Sequence, residues 1–271
     1  MLRINTNVSA LDTVRNMRKI DLSVSKSLEK LSSGQRINRA SDDAAGLSIA
    51  DSLRTQVNGL QQAQSNAQDA ISLINTADGA LNEVGSILQR MRELAVQSSN
   101  GTMTTSDRQA TNAETQQLMS EINNITSYTT FNGFQMLNAA VTTFTFQVGA
   151  NKGQTLVTAI TGTSTGGLTL NGLNTSTQTT AAAAITSLDV AIGAVDAIRS
   201  KIGAVSNRLE HTINSVSSAQ VNIAAAESRI RDVDVASEMS NLTKNQIMMQ
   251  AATSMLAQAN AGPQGMLSLF K

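Results

Sequence analysis

The sequence predicts a mainly α fold. It reads as a long antiparallel helical rod, a coiled-coil bundle with a small β-hairpin region, whose two chain ends pair at one end. Three observations carry this. Steps of seven through the last third land on Leu188, Val195, Ile202, Leu209, Val216, Ile223 and Ile230, and the row three further on is Ala191, Ile198, Val205, Thr212, Ala219, Ala226 and Val233. An apolar period of about 3.5 residues held that long specifies one helix with a narrow seam. The first third repeats the pattern at Leu53, Leu60, Ala67, Ile74, Leu81, Leu88 and Ala95, with Gln56, Ala63, Ala70, Ala77, Val84 and Met91 as companions. Each seam needs a partner, and the other is the nearest. Finally, aromatics are only 2% of the chain, with no Trp and a single Tyr. Globular cores lean on aromatics for buried area, whereas thin bundles close on Ala, Leu, Ile and Val.

The elements follow in order. Leu11, Val14, Met17, Ile20, Val24, Leu28 and Leu31 fall at helical spacing, and Ser32-Ser33-Gly34 is a stop. After an aperiodic Gln35–Ala40, Ser41 is the expected cap of the first long helix, with Asp42 and Asp43 in its first turn. That helix runs to Asn100-Gly101, about 85 Å at 1.5 Å per residue. Ser106-Asp107-Arg108-Gln109 reads as a capping box for a third helix carrying Leu118, Ile122 and Ile125. Phe144, Phe146 and Val148 alternate with polar residues as a half-buried strand does; Gly149–Gly153 turns the chain into a second strand, Thr155–Ile160. Gly166-Gly167 and Asn171-Gly172 are further turns, and Asn174–Thr180 reads as exposed and poorly ordered. The second long helix starts near Ala181. A last amphipathic stretch holds Met239, Leu242, Met249 and Leu256, with Ile247 and Met248 alongside, and fades at Ala261-Gly262-Pro263. The expected division is terminal helices at 1–43 plus 231–271 and a rod at 44–230, with the β and Thr/Ser-rich segment at about 129–180.

Composition excludes several function classes. Lys+Arg and Asp+Glu both number 20, so the net charge is zero and the basic excess of a nucleic-acid binder is missing. Such neutrality suits self-association. Without cysteine there is no disulfide and no thiolate metal site. No apolar run of about 18 residues suggests a membrane span, and the start, Met1-Leu2-Arg3-Ile4-Asn5, is not that of a cleaved secretory signal. The only histidine, His211, points away from the Leu209–Val216 seam, and Asp232 with Asp234 lacks a third ligand or base. No catalytic, cofactor or metal residues are expected, and the chain is not expected to be an enzyme.

The segment Leu31-Ser32-Ser33-Gly34-Gln35-Arg36-Ile37-Asn38-Arg39-Ala40-Ser41-Asp42-Asp43-Ala44-Ala45-Gly46-Leu47-Ser48-Ile49-Ala50 closely resembles the hallmark of bacterial flagellins. So do Gln89-Arg90-Met91-Arg92-Glu93-Leu94-Ala95-Val96-Gln97, Phe131-Asn132-Gly133 and the tail Ala261–Lys271. The likeness covers about Met1–Asn138 and Ala181–Lys271, and the short middle segment marks a minimal form with little or no outer domain.

The resemblance implies a structural subunit that polymerises into the extracellular flagellar filament for swimming motility. Terminal helices would form the inner core and the rods a shell around it. It also implies flagellar type III export without a cleaved signal, with an export chaperone, the filament cap and hook-junction proteins as partners besides the chain itself. The alternatives are the hook–filament junction protein and a free coiled-coil scaffold. The expected polymerisation interface is Leu11, Val14, Met17, Val24, Leu28, Leu31, Leu242, Met249 and Leu256 from the terminal stripes, with Arg36, Arg39, Asp42 and Asp43 from the hallmark segment. Chaperone binding is expected at Leu242, Met249 and Leu256 within Met239–Phe270. By resemblance, Arg90, Leu94 and Glu114 form a patch read by an animal innate immune receptor.

Overall fold

The computed structural model describes residues 6–138 and 141–269, with side chains to residue 262. The stretch Met1–Asn5, the tail side chains from Pro263 onward and the end of the chaperone segment at Phe270 lie outside the described residues. In chain order the elements are α1 (Val8–Ser33), α2 (Ala44–Ser99), α3 (Thr105–Tyr128), β1 (Thr130–Phe131), β2 (Phe134–Gln135), β3 (Val141–Gln147), β4 (Thr155–Thr161), α4 (Gln178–Arg231) and α5 (Val235–Leu269). They form two compact units, Gln56–Val221 and the combination of Met1–Thr55 with Asn222–Lys271.

In the Gln56–Val221 unit the seams of α2 and α4 are buried. Ala63, Ala67, Ala70, Ile74, Ala77, Leu81, Val84, Leu88 and Met91 share one core with Leu188, Ala191, Val195, Ile198, Ile202 and Leu209. The two helices run antiparallel, since Arg199 Nε donates to Asp78 at 3.0 Å while Arg92 Nε donates to Asp189 at 2.6 Å. Alanine at so many seam positions leaves room for a close helix approach. The α4 helix also contains an 18-residue window apolar enough by composition to cross a membrane, contrary to the reading of the sequence. Ala, Ile and Val between the seam residues, such as Ile185, Val190 and Ile192, raise its mean hydropathy, and the seam itself is consumed by the internal core.

The α3 helix returns along α2. Ser98 Oγ meets Thr111 Oγ1 at 2.5 Å, and Arg90 reaches Glu114 one α3 turn further on. Its start is one residue pair earlier than the sequence suggested. Thr104, not Ser106, is the cap, and Asp107 completes the reciprocal box. At its far end Asn132 (φ 48) and Gly133 (φ 80) make the tight turn between β1 and β2, a pair of left-handed residues that Asn-Gly tolerates.

The hairpin β3–β4 is in register from Val141↔Thr161 to Gln147↔Thr155. Leu156, Thr158 and Ile160 face the core. Its turn lies against α2: a Cβ on Gly59 would stand 2.9 Å from the Cβ of Ala150, and Asn66 Nδ2 donates to Gln147 O at 3.0 Å. In the stretch expected to be exposed, Asn174 and Thr177–Thr180 are so, but Thr175 is fully buried and Gln178–Thr180 already belong to α4. Ahead of it, Leu168, Leu170 and Leu173 plug the core. Asn123 Oδ1 accepts from the Thr165 amide at 3.1 Å, and Asn112 Oδ1 from the Thr175 amide at 3.0 Å. Three leucines spaced along a Thr/Gly-rich loop, with α3 amides waiting for its backbone, are what a compositional reading overlooks.

In the other unit α1 and α5 pair antiparallel. Asn7 Nδ2 donates to Ala259 O at 2.8 Å at one end, and Ser27 Oγ donates to Glu238 at 2.5 Å at the other. The α5 helix does not fade at Pro263 but continues to Leu269. Proline has no amide hydrogen to give the carbonyl four residues back, which is that of Ala259. The Asn7 side chain supplies the missing donor, so the turn is kept without an orphaned carbonyl.

Candidate assembly interface

The terminal helices differ from the rest in how little of their apolar surface the chain itself covers. On α1 the partly covered positions are Val14, Met17, Ile20, Val24 and Leu31, with Ser27 buried. On α5 they are Glu238, Leu242, Asn245, Met249, Ala252, Leu256 and Ala259, spaced alternately four and three apart. That is a second 3.5-residue seam, and α1 and α5 use it on each other. Leu242 is its best-covered member at 7% exposure.

This sorts the expected interface residues into two sets. Val14, Met17, Val24, Leu31, Leu242, Met249 and Leu256 turn toward the α1–α5 seam and are partnered within the chain. Leu11 and Leu28 point outward and are exposed. The sequence reading treated α5 as a one-faced amphipathic helix, and the structure corrects this. Ile247, Met248, Ala251 and Met255, at i, i+1, i+4 and i+8, form a second apolar stripe on the side away from the seam. Leu22 on α1 and Val235 and Met239 on α5 are exposed as well. The signal was present: a helix apolar on both sides is one that expects to be buried all round.

The hallmark turn between α1 and α2 is held by backbone rather than by side-chain charge. Gly34 closes α1 in the left-handed conformation (φ 71). Its carbonyl accepts from the Val233 amide at 3.1 Å, the Arg36 amide donates to Arg231 O at 2.6 Å, and Arg36 Nη2 donates to Ile230 O at 2.5 Å. The loop is thereby stapled to the break between α4 and α5, and Ile37 is buried beneath it at 1% exposure. Arg39 Nε donates to Glu29 at 2.8 Å.

Asp42 and Asp43 are not first-turn residues of α2, nor is Ser41 its cap. Asp43 is the cap, accepting from the Gly46 amide at 2.8 Å, because α2 begins only at Ala44. Asp42 folds back to accept from the amides of Arg39 and Asn38. The Arg39 amide, helped by that of Asn38 and by Lys26 and Lys30, holds its carboxyl below the ordinary value against a smaller opposing cost of burial.

The expected recognition patch is only partly assembled. Arg90 donates from Nε and Nη2 to the same Glu114 oxygen at 3.0 and 2.9 Å, and from Nη1 to Glu93 at 3.1 Å, all three side chains being well exposed. Leu94 does not stand beside them as an accessible anchor. It is 2% exposed, since it lies on the same i, i+4 row as Arg90 and Ser98, both of which contact α3. The exposed apolar neighbour is Val96.

Among the described residues no group of three or more His, Cys, Asp or Glu gathers as a metal site, and His211 is exposed on α4.

A family model for the bacterial flagellin N-terminal helical region matches residues 4–142, and one for the bacterial flagellin C-terminal helical region matches residues 185–270. The chain belongs to the bacterial flagellin family. A flagellin of Halalkalibacterium halodurans is 50% identical over 271 residues, covering 99% of both chains. One of Bacillus subtilis is 44% identical over 304 residues and covers 100% of both. The crystal structure of Bacillus cereus flagellin, 38% identical, superposes with a TM-score of 0.52 over 60% of this chain and 94% of that one.

This flagellin is a short form, a structural subunit that polymerises into the extracellular flagellar filament for swimming motility. The family is one of structural proteins rather than enzymes. Against that background, the hook–filament junction protein and the free coiled-coil scaffold give way to the filament subunit.

Proposed function

We propose that the outward faces of α1 and α5, together with the Gly34–Asp43 turn, are the surface through which this flagellin polymerises. The terminal helices, 1–43 and 231–271, then form the inner core of the filament, and 44–230 forms the shell around it. The observation that carries this is the second stripe on α5. Once the seam with α1 is closed, Ile247, Met248, Ala251 and Met255 still face solvent on a helix that is apolar on both sides. Burying such surface stabilises by about 25 cal/mol for each Å² removed from water, and a further copy of the chain brings the same stripes to bury it. Arg36, Arg39, Asp42 and Asp43 act chiefly by fixing the turn, with Arg39 remaining exposed for a neighbouring copy.

The test is an Ile247→Glu, Leu22→Glu double substitution. Circular dichroism should show unchanged helix content, since both positions are solvent-facing, while sedimentation should show no filaments. Filaments of normal yield and length from this variant would overturn the assignment.

We extend the proposal to the other expected partners. An export chaperone that docks Leu242, Met249 and Leu256 takes the place of α1 on the seam, as an amphipathic helix in a groove does. Its binding should therefore compete with α1–α5 pairing, and a chain lacking Met1–Leu31 should bind it more tightly. Equal affinity would place the chaperone on the outer stripe instead. The innate immune receptor reads Arg90, Glu93 and Glu114 as a charged patch, with Leu94 holding α2 against α3 from below. Arg90→Ala should weaken the response of a receptor reporter, and full retention of signal would remove the patch from consideration. Filament cap and hook-junction proteins engage the same terminal-helix surface as a further copy does.

A further inference from the structure

Among the methionines whose side chains are described, Met91 and Met136 are fully buried in the Gln56–Val221 unit and Met17, Met103, Met119 and Met249 are half-buried, whereas Met239, Met248 and Met255 on α5 are 47%, 36% and 64% exposed. Met248 and Met255 lie on the outer stripe, and Met239 at its edge nearest the start of the helix. We propose that these three thioethers are a sulfoxidation site that decides whether the chain can enter a filament. The inference rests on the reading above that the outer face of α5 is buried by assembly.

The chemistry is a two-electron oxygen transfer from a peroxide. A sulfur lone pair attacks the outer oxygen of hydrogen peroxide, the S–O bond forms as the O–O bond breaks, and the departing hydroxide takes the proton of the transferred oxygen. Methionine sulfoxide and water are the products. The thioether is oxidised and the peroxide reduced, with no other reactant needed. The consequence follows from where the oxygen lands. A flexible apolar side chain becomes a strongly dipolar one, on a face whose role is to leave water. Desolvating a polar group without a partner is unfavourable, so each sulfoxide opposes burial. Leucine would give the same packing without this liability. Conversely, the thioethers are accessible only before assembly, so a filament protects what a free subunit exposes. The step is undone by methionine sulfoxide reductases, one for each epimer.

The experiment uses the full chain, free and as filaments, each treated with dilute hydrogen peroxide and mapped by peptide mass spectrometry. In the free chain Met239, Met248 and Met255 should each gain one oxygen while Met91 and Met136 stay reduced. In filaments the three should react about tenfold more slowly or less, as expected when water and peroxide are excluded. The oxidised free chain should need a concentration about tenfold higher to start polymerising, and treatment with both reductases should restore the starting value.

A Met239→Leu, Met248→Leu, Met255→Leu variant is compared only with its own untreated sample, and its ratio of treated to untreated concentration should stay near one. Two results would overturn the inference: a chain oxidised at all three sites that polymerises as readily as before, or a leucine variant as sensitive to peroxide as the parent. Equal oxidation of free chain and filament would instead remove the burial of α5 on which it rests.

Discussion

The Gln56–Val221 unit and the α1–α5 pair are built from the same device and end in different states. Each brings two helices together along a 3.5-residue seam. In the first, the seam is roofed by α3, the β3–β4 hairpin and the leucines of the loop after β4, so Leu81, Val84, Leu88 and Met91 are all fully buried. In the second no third element covers the pair among the described residues, and Leu242 is the only hydrophobic side chain of α5, among those described, that becomes buried. The lesson is that a heptad seam settles which helices meet but not how completely they are buried. That depends on a third layer, which one region has within the chain and which, under the proposal above, further copies would supply to the other.

The largest expected effect lies in the closed region. Leu81→Ala removes a fully buried side chain and should cost about 2–5 kcal/mol of unfolding free energy in guanidinium titration. A loss below ~1 kcal/mol would mean the core is looser than its burial implies. Leu242→Ala in the open pair should leave that transition where it is. Its effect should appear as faster amide exchange confined to α1 and α5, because local opening there does not require the closed core to unfold. An equal shift of both regions would merge them into one cooperative unit.

Next in size is the contact between the hairpin turn and α2. Gly59→Leu forces a side chain into the space held by Ala150, and overpacking of this kind typically costs about 1–3 kcal/mol. Protection of the β3–β4 amides should fall more than that of α4. Gly59→Ala is the finer probe, since the intrinsic helix preference of about 1 kcal/mol for Ala over Gly opposes the clash. If both variants protect the hairpin as well as the parent does, the turn is not packed where the distances place it.

The smallest effect is the response to acid. The Thr104 hydroxyl and amide hold the Asp107 carboxyl below its ordinary value, and backbone amides do the same for Asp42. A depressed carboxyl stabilises the folded state at pH values above the unfolded pKa, and that contribution is lost as pH falls through the folded pKa. The hallmark turn and the start of α3 should therefore loosen only below the ordinary aspartate range, and carboxyl-carbon NMR titration of the two residues should show midpoints under those of free aspartate. Midpoints at or above the free value would contradict the hydrogen bonds. Neutral-pH behaviour should be unaffected.

What was legible in the sequence was whatever a period can carry. The seams of α2 and α4 lie where steps of seven put them, the α1 stop at Gly34 holds, and the two hairpin strands stand within a few residues of their expected limits. Features set by single atoms were missed. Thr104 and Asp43, rather than Ser106 and Ser41, cap their helices, because a cap is chosen by where the last extended residue falls. Leu94, expected in the receptor patch beside the Ala95 seam, is buried because α3 covers the row next to that seam. Between the turns at Gly166-Gly167 and Asn171-Gly172, and ahead of the Asn174–Thr180 run expected to be exposed, three leucines and the two α3 asparagines that accept from Thr165 and Thr175 anchor the loop, and neither carries a period. The outer stripe of α5 was missed because a one-faced helix was assumed.

The hydrogen bond from Asn7 to Ala259 also has a kinetic meaning. It joins positions 252 residues apart, and the entropy needed to close a loop rises with its length, roughly as the logarithm. Contacts of such long sequence separation form late, after the local helices and the hairpin are already in place. The closing of the helix past Pro263 is therefore tied to the last event of folding rather than to α5 itself. In the opposite direction, the first part of the molecule to come undone is the α1–α5 pair, which can open while the Gln56–Val221 unit stays intact.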